Sequence, residues 1–421
     1  MSLLYNIGIW IYYGAMQLAT LWNQKAFRWV NGRIGLFENL KSKMVASSKE
    51  TIWMHCASLG EFEQGRPLLE KLKSRNEDLR VVLTFFSPSG YEVMKDYVGA
   101  DIVSYLPLDT PANAKRFLEL VNPKLVLWVK YEYWFNILGE IRHKNIPLIL
   151  VSGIFRKSQP FFKWYGGFWK RMLMDFTYLF IQNDSSQQLL NKIDFENVSV
   201  SGDTRFDRVM ELSTLKKDVP GIKEFCGENL VIVAGSTWEE DEVLLIHYLR
   251  VNSNVRMILA PHEIDSENLL GIKKEFPRSI FYSDWLKMSE EEMANNSRYN
   301  CLILDNVGML SFIYRYGDVC YVGGGFGAEG VHNVLEAAVY GKPVLFGPEF
   351  EKYIEAVELL EAGGADDIKN AIELEQTFDM LLKNIKTREK WGNDSENYVR
   401  SKVGATDKII DFIYKNRLLT N

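Results

Sequence analysis

The sequence has few residues of the kinds that bind metal ions. Its 421 residues include 4 cysteines and 5 histidines, with no C-x-x-C pair, no D-x-D sequence and no histidines at ligand spacing. Protein metal sites are recognised by such spacings, so we expect no metal and no other cofactor. Three of the cysteines lie in or beside apolar runs, which predicts reduced packing residues of a cytoplasmic protein.

An excess of positive charge is also missing. The formal net charge is -6, which argues against a general nucleic-acid-binding protein. The 47% of hydrophobic and 25% of charged residues are ordinary for a globular protein. A chain of 421 residues is too long for one ordinary core, so two domains are expected.

The amino-terminal segment, residues 1–33, is predicted to be a membrane anchor. Residues 3–22 carry no charged side chain and are rich in aromatic residues, and three basic residues follow before the first acid. A run of this length can cross a bilayer, and the basic residues would keep the rest of the chain on the cytoplasmic side of the inner membrane. Polar side chains within it make an interfacial helix a close second interpretation. A buried core helix ranks third.

From residue 51 onwards the pattern alternates between strands and helices. Apolar strands are predicted at residues 52–56, 81–85, 102–105, 125–129, 148–151, 178–181, 230–234, 255–259, 301–304, 319–322 and 344–346. The alternation predicts parallel sheets with crossover helices. We expect an amino-terminal domain at 34–209, a linker at 210–228 and a carboxyl-terminal domain at 229–421, with ligands outside the carboxyl ends of the strands and in a cleft between the domains.

Residues 322–350 contain the strongest local signal, a strand, a glycine-rich loop, a short helical pattern and a second strand. Residues 325–330 read G-x-G-x-x-G. The short helix and the missing acid after the next strand disfavour a dinucleotide site, and a phosphate-binding loop for another ligand is favoured. His332, Asn333 and Glu336 share one helix face. Glu336 would accept hydrogen bonds from a ribose, although a solvated acid favoured by the helix dipole fits the spacing equally well.

Two glutamates follow strands in the first half of the chain. Ser58-Leu59-Gly60-Glu61 comes between a strand and a helix. Glu61 would face the cleft as a general base, but S-x-x-E before a helix is also a capping box, and the spacing favours the cap. Glu132 follows the fourth strand, with a buried ion pair as the alternative.

Residues 154–171 combine five basic and seven aromatic side chains with no acid. Contact with anionic lipid is the leading interpretation; a single-stranded nucleic-acid platform and simple core packing are the alternatives. The residues assigned to this membrane and acceptor patch are Arg156, Lys157, Lys163, Trp164, Trp169, Lys170 and Arg171.

Across nearly its whole length the chain resembles the Kdo transferases of lipid A assembly, where Kdo is 3-deoxy-D-manno-octulosonic acid. The matching pieces, in family order, are Ala57-Ser58-Leu59-Gly60-Glu61, Glu132-Tyr133-Trp134 with Asn136, Gly202-Asp203-Thr204-Arg205-Phe206-Asp207, Gly235-Ser236-Thr237 with Glu239, His262, Leu304-Asp305 with Gly308, Val322-Gly323-Gly324, Gly330 with His332-Asn333, Leu335-Glu336, and Gly347-Pro348.

The resemblance implies a membrane-associated GT-B glycosyltransferase, an α/β protein with two Rossmann-like parallel-sheet domains facing a cleft. It implies an inverting transfer of Kdo from CMP-Kdo to a hydroxyl of a lipid A precursor of the lipid IVA type, with Glu61 as general base. Ser58, Gly60, Lys130 and Glu132 would orient the acceptor. The implied donor-binding residues are Gly235, Ser236, Thr237, His262, Gly323, Gly324, Gly330, His332, Asn333 and Glu336. The implied partners are CMP-Kdo, a lipid A precursor and inner-membrane lipids, with no nucleic acid.

The chain departs from the family pattern at several positions. Lys130 stands where the family has Glu, Gly325 where it has Ser, and Val331 where it has Gly. The nearest alternative is another GT-B enzyme that uses a UDP-sugar and a lipid acceptor. A non-catalytic nucleotide-sugar or lipid-binding protein is the alternative of a different class.

Overall fold

The computed structural model of the protein describes residues 1–44, 49–130, 132–215 and 217–419. The chain divides into two units, one of Met1–Arg208 with Val403–Asn421 and the other of Val209–Lys402. This division differs from the expected carboxyl-terminal domain 229–421, because apolar side chains near the end of the chain pack into the core of the first unit.

The first unit is built on one parallel sheet. Its strands are β1 (Thr51–Cys56), β2 (Arg80–Phe85), β3 (Ile102–Tyr105), β4 (Leu125–Val129), β5 (Leu148–Gly153), β6 (Tyr178–Ile181) and β7 (Val198–Val200). They lie in the order β3-β2-β1-β4-β5-β6-β7. Apolar clusters cover both faces, which explains why β1 and β4 are buried at every residue.

The second unit repeats this plan. Its strands are β8 (Leu230–Thr237), β9 (Val255–Pro261), β10 (Ser279–Phe281), β11 (Cys301–Ile303), β12 (Val319–Val322), β13 (Val344–Phe346) and β14 (Ala365–Asp367). They form a seven-stranded sheet in the order β10-β11-β9-β8-β12-β13-β14. The strand order therefore reverses between β1 and β4 in the first sheet and between β8 and β12 in the second.

Helices connect the strands. In chain order they are α1 (Ser2–Ala19), α2 (Gln24–Asn31), α3 (Leu36–Lys43), α4 (Leu59–Arg75), α5 (Pro88–Met94), α6 (Pro111–Val121), α7 (Phe135–His143), α8 (Gly167–Leu173), α9 (Asp184–Asn191), α10 (Thr204–Thr214), α11 (Ile222–Cys226), α12 (Glu239–Val251), α13 (Ser266–Glu275), α14 (Tyr282–Trp285), α15 (Glu290–Ala294), α16 (Leu310–Ile313), α17 (Leu335–Ala338), α18 (Ile354–Glu361), α19 (Ala371–Lys383), α20 (Ile385–Lys402) and α21 (Ala405–Lys415). Two 3-10 turns, Pro160–Phe162 and Tyr314–Tyr316, complete the set.

The segment expected to be an irregular linker is partly helical. It contains the end of α10 and all of α11, in which Ile222 and Phe225 are fully buried. Phe225 contacts the Trp285 ring edge-on, with ring centroids 5.6 Å apart. Ile222 and Phe225 are three positions apart and therefore lie on the same face of α11. That face is buried although the surrounding sequence is mostly polar.

The amino-terminal residues form α1 and α2. Ile9 is the one residue of α1 that is buried, against Trp29 and Leu108. Within the described ranges, no helix combines the length and apolar character needed to cross a bilayer.

Candidate functional site

The predicted residues of the first unit gather where the order of its sheet reverses. Glu61 lies in the first turn of α4, directly after β1, and Lys130 and Glu132 follow the neighbouring strand β4. The charges of Glu132 and Lys130 both act on Glu61. In parallel α/β sheets such a reversal opens a crevice at the carboxyl edge, where ligands bind.

Glu61 is a half-buried carboxyl group held by backbone N–H groups. Its Oε2 accepts a hydrogen bond from Ala57, and Ser58 adds a second backbone contact. The Ser58 side chain makes no reciprocal bond to the helix, so one half of the predicted capping box forms. Gly60 is exposed, with open space where a Cβ would lie. Burial, with the nearby charge of Glu132 adding to it, raises the pKa of Glu61 to about 7, a value suited to a general base at neutral pH.

Glu132 is fixed by aromatic and histidine donors. Its Oε2 lies 3.0 Å from His55 Nε2 and accepts a bond of 3.0 Å from Trp134 Nε1, and its backbone oxygen accepts one of 2.6 Å from Trp128 Nε1. His55 is fully buried on β1 and its Nδ1 lies 2.9 Å from Thr84 Oγ1. Glu132 thus has a hydrogen-bond partner in His55. This partner was not predicted, because nothing in the sequence pattern pairs β1 with β4.

Lys130 occupies an unusual backbone position beside this cluster. Its φ of 59° lies in the left-handed region, which is rare for a long side chain and typical of functional sites. The positive charge of its ammonium group acts on the carboxyls of Glu61 and Asp203. For Glu61 it partly opposes the rise in pKa that burial causes, and for Asp203 it helps to lower the pKa. Burial alone would raise the pKa of Asp203, but Arg205 and Lys130 together hold it below its ordinary value.

In the second unit, three loops approach one another so closely that only glycine fits between them. A Cβ on Gly323 would lie 2.4 Å from the backbone oxygen of Ser236, and one on Gly325 would lie 2.6 Å from the backbone nitrogen of Gly347. A Cβ on Gly235 would lie 2.1 Å from the side-chain hydroxyl of Tyr314. Serine at position 325, the family's residue, would not fit this packing without a shift of the backbone.

The glycine-rich loop after β12 folds back on itself. Gly324 and Gly330 have φ of 92° and 85°, a conformation that favours glycine. The His332 N–H donates to the Gly323 oxygen at 3.1 Å, and Val331 N–H donates to Glu349 at 3.0 Å. Val331, which stands where the family has Gly, is buried. Its side chain packs in the interior of the unit.

Asn333 and Glu336 are joined by a hydrogen bond. Asn333 Nδ2 donates to Glu336 Oε1 at 3.1 Å, and Asn333 Oδ1 accepts from the Leu335 N–H at 3.2 Å. The helix that follows, α17, spans Leu335–Ala338, so His332 and Asn333 precede it and do not share a helix face with Glu336 as expected. Glu336 is half-buried.

The strand end at Ser236 and Thr237 has one strained residue and one engaged hydroxyl. Ser236 has φ of 54°. Thr237 is buried, and its hydroxyl donates to Glu242 Oε1 at 2.9 Å. Burial raises the pKa of Glu242 to about 7. The Thr237 side chain is therefore directed at Glu242, and its backbone oxygen accepts from the His262 N–H at 2.8 Å.

Asp241 and Trp238 organise this cluster, and neither was predicted from the sequence. Asp241 is fully buried, with Oδ1 accepting from Tyr321 at 2.6 Å and Oδ2 from the N–H groups of Gly324 and Trp238 at 2.9 Å each. A local signal for Asp241 was present, because it is the third residue of α12, which follows directly after the glycine-containing strand β8. An acid at that position can accept a hydrogen bond from the backbone N–H that precedes the helix.

Three aromatic rings meet at the mouth of the cluster. Trp238 Nε1 donates to His332 Nε2 at 3.1 Å. The exposed His262 ring stacks on both, at 4.6 Å from each centroid. Burial, followed by the neighbouring His262, lowers the pKa of His332 to about 4.

The basic and aromatic segment 154–171 is part core and part surface. Phe155 and Phe161 are buried and Trp169 is half-buried against the first unit's core, whereas Trp164 is 96% exposed. The core-packing alternative therefore holds for some of the aromatics. Of the basic residues, Arg156, Lys157 and Arg171 are exposed, and Lys163 and Lys170 are half-buried.

Metal ligands do not cluster in the part of the chain that the structure describes. No group of three or more His, Cys, Asp or Glu side chains there is placed to hold a metal ion. The four cysteines are buried and unpaired, as their apolar surroundings predicted.

Comparison with known proteins gives the family. A sequence model described as 3-Deoxy-D-manno-octulosonic-acid transferase (kdotransferase) matches residues 29–208. The 3-deoxy-D-manno-octulosonic acid transferase of Aquifex aeolicus is 31% identical over 372 residues, which are 84% of this chain and 94% of that protein. The chain belongs to the Kdo transferase family. The transferase of Haemophilus influenzae is 26% identical over 86% of each chain.

A longer protein also matches this Kdo transferase family member. The bifunctional glycosyltransferase/methyltransferase of Fusobacterium nucleatum is 28% identical over 94% of this chain. The match covers 59% of that protein, so the chain spans about three fifths of its length.

Solved structures confirm the GT-B fold. UDP-GlcNAc 2-epimerase from Neisseria meningitidis aligns with a TM-score of 0.60 at 16% identity, over 87% of this chain and all of that one. A glycosyltransferase from Rickettsia africae aligns with a TM-score of 0.54 at 14% identity, over 89% and 100%. At such identities the likeness concerns the fold alone. The membrane-anchor helix stays a prediction.

Proposed function

We propose that the protein transfers Kdo from CMP-Kdo to a hydroxyl of a lipid A precursor of the lipid IVA type. Membership of the Kdo transferase family supports the transferred sugar. The observation that carries the catalytic part is Glu61, a half-buried carboxyl with a pKa of about 7 at the carboxyl edge of β1.

In the proposed reaction Glu61 acts as the general base. Its carboxylate takes the proton from the acceptor hydroxyl while that oxygen attacks the anomeric carbon of Kdo from the face opposite the phosphate. The bond between Kdo and the phosphate oxygen breaks, and CMP leaves with the electron pair. The configuration at the anomeric carbon inverts, and the products are the Kdo-lipid, CMP and a proton on Glu61.

The second unit would hold CMP-Kdo. Glu336, oriented by Asn333, would accept hydrogen bonds from the ribose. The N–H groups of Gly323 and Gly324 already donate to Gly235 and Asp241. The backbone N–H groups near Ser236 and in the glycine-rich loop after Gly324 would therefore face the phosphate, where negative charge grows as CMP leaves. CMP has a single phosphate, so we propose that the reaction needs no metal ion.

We propose that α1 lies in the headgroup region of the inner membrane, on its cytoplasmic side. One face is tied to the first unit, because Tyr5 Oη donates to Asp109 at 2.6 Å and Asn6 accepts from Asn136 at 2.8 Å. The other face is apolar and uncharged, as in interfacial helices. Its exposed residues include Leu3, Leu4, Ile7, Trp10, Ile11 and Leu18.

The deciding experiment is incubation of the purified protein with CMP-Kdo and a tetraacylated lipid A precursor, followed by mass spectrometry of the lipid. We expect the mass of one or more octulosonate residues to be added, with or without EDTA. If no octulosonate is added, the proposal fails; if EDTA abolishes the addition, its metal-independent part fails.

Two controls separate this function from its rivals. A UDP-sugar transferase would be inhibited by UDP and not by CMP, whereas we expect inhibition by CMP. In Glu61→Ala we expect transfer to be lost while CMP still binds. A non-catalytic nucleotide-sugar or lipid-binding protein would show no transfer in the wild type.

A further inference from the structure

The bond between Trp238 and His332 fixes the position of a proton. Trp238 Nε1 and His332 Nε2 lie 3.1 Å apart. An indole nitrogen can only donate a hydrogen bond, so His332 Nε2 must accept it through a lone pair. An imidazolium carries hydrogen on both nitrogens and could not do so. His332 is therefore neutral, with its proton on Nδ1.

The remaining nitrogen of His332 is left for a ligand. Nδ1 has no hydrogen-bond partner among residues 1–44, 49–130, 132–215 and 217–419. The Trp238 bond fixes the orientation of the ring, because turning the ring by 180° would break that bond, and the His262 ring stacks against its face. A fixed N–H group thus stands beside the glycine-lined loops.

We infer that Trp238 is a positioning residue that keeps His332 in the neutral Nδ1–H form, so that this N–H donates to a phosphate oxygen of the bound nucleotide. The ligand in this inference rests on the proposed function, whereas the tautomer does not. Trp238 is itself held in place, since its backbone N–H donates to the buried carboxylate of Asp241, which also accepts from Gly324.

The charges around His332 agree with a neutral ring. The titratable groups that act on it are His262, which lowers its pKa, and Glu329 on the same loop, which raises it. Burial outweighs Glu329, and the pKa falls to about 4. Glu61 loses its proton near pH 7, well above the pKa of His332. The His332 imidazole therefore stays neutral over that range and can donate its one oriented hydrogen bond throughout it.

The first test reads the tautomer directly. In protein labelled with ¹⁵N-histidine, nitrogen shifts and long-range couplings distinguish protonated from unprotonated ring nitrogens, and His332→Asn identifies the His332 signals. We expect a protonated Nδ1 and a bare Nε2 from pH 5 to 8. In Trp238→Phe, which keeps an aromatic ring and removes the N–H, we expect mixed tautomers and an upward shift of the His332 pKa. Protonation at Nε2 in the wild type, or an unchanged tautomer in Trp238→Phe, would overturn the inference.

The second test reads the ligand, with CMP as the probe. We expect Trp238→Phe to bind CMP about three- to tenfold more weakly at pH 8, the range of a single hydrogen bond. The ratio of mutant to wild-type Kd should shrink as the pH falls, since an imidazolium forms in the mutant and attracts phosphate; titration of CMP itself cancels in this ratio. A ratio independent of pH would indicate a merely structural role and overturn the inference.

Controls separate this inference from the proposed function. Trp391→Phe removes an indole that packs against the core of the same unit and should change neither readout. In a His332→Asn background, Trp238→Phe should have no further effect on CMP binding. If the wild type binds no CMP but shows the expected tautomer, the proposed function and the ligand of this inference fail, while the role of Trp238 toward His332 stands.

Discussion

Replacement of Glu61 by glutamine is expected to stabilise the protein, and to do so mainly at alkaline pH. Burial raises the pKa of Glu61 from 4.5 to about 7. In the folded state the carboxyl therefore keeps its proton at pH values where the unfolded chain has released it. Stability from this group is fully present below pH 4.5 and is lost as the pH rises through about 7. At about 1.4 kcal/mol for each pH unit, the full effect is about 3 kcal/mol.

Glutamine has nearly the same shape and cannot ionise, so it avoids this loss. The advantage of Glu61→Gln over the wild type should be about 1 kcal/mol at pH 5 and about 3 kcal/mol at pH 8. Urea unfolding at the two pH values measures the difference. Glu63→Gln, which alters a partly exposed carboxyl 3.6 Å from Arg66, is the matched control and should change stability by less than about 1 kcal/mol.

The same variant should lose transferase activity, by a factor on the order of 100 to 10,000. A stability difference that is equal at pH 5 and pH 8 would refute the burial argument. Retained activity would refute the assignment of Glu61 as the base.

Three further predictions concern the residues around Glu61 in the first unit and the glycine-rich loop with Glu336 in the second. In Lys130→Glu the loss of the ammonium raises the pKa of Glu61, so the rise of kcat/KM with pH should move to higher pH; an unmoved profile would remove Lys130 from the site. In Gly325→Ser the new Cβ meets the Gly347 backbone, and unfolding should become easier by about 1–3 kcal/mol, read as a lower Tm. In Glu336→Gln, the affinity for CMP should fall about tenfold or more while that for 2′-deoxy-CMP changes less, because a charged acceptor of the ribose hydroxyls is lost.

Two of these predictions have internal controls. Gly271 lies on α13, where an added Cβ would meet open space. Gly271→Ser should therefore lower the Tm much less than Gly325→Ser. Equal losses of CMP and 2′-deoxy-CMP affinity in Glu336→Gln would show that this carboxylate does not recognise the ribose.

The sequence predicted the sheets well because their strands are buried on both faces. A run such as residues 125–129 is apolar at every position, and position and length together identify it as a strand of a parallel sheet. The three-residue strands β7, β10 and β14 were not predicted. Shortness alone does not explain this, since β11 and β13 are equally short and were predicted. Those two are wholly apolar, whereas β7, β10 and β14 include polar residues and lie at the edges of their sheets.

The candidate site was predicted less completely than the fold. The proximity of Asn333 to Glu336 was predicted, although from a helix that begins only at Leu335. The glycines were predicted from the need for close backbone approach. His55, Trp238 and Asp241 were missed, since their roles depend on which strands neighbour each other, and strand order is not written in any local pattern. The packing of Gly325 against Gly347 is likewise a long-range contact.

The return of α21 to the first unit has a consequence for synthesis of the chain. Ile409, Ile410 and Ile413 complete the apolar cluster over β1, β4 and β5, yet they are translated after all of residues 209–402. At about 5–20 residues per second, the ribosome needs roughly 10–40 s for that interval. Throughout it, the nascent first unit has a sheet with one incompletely covered face. Folding factors that shield apolar surface would find their substrate in this window, and a nonsense mutation before α21 would injure the amino-terminal unit first.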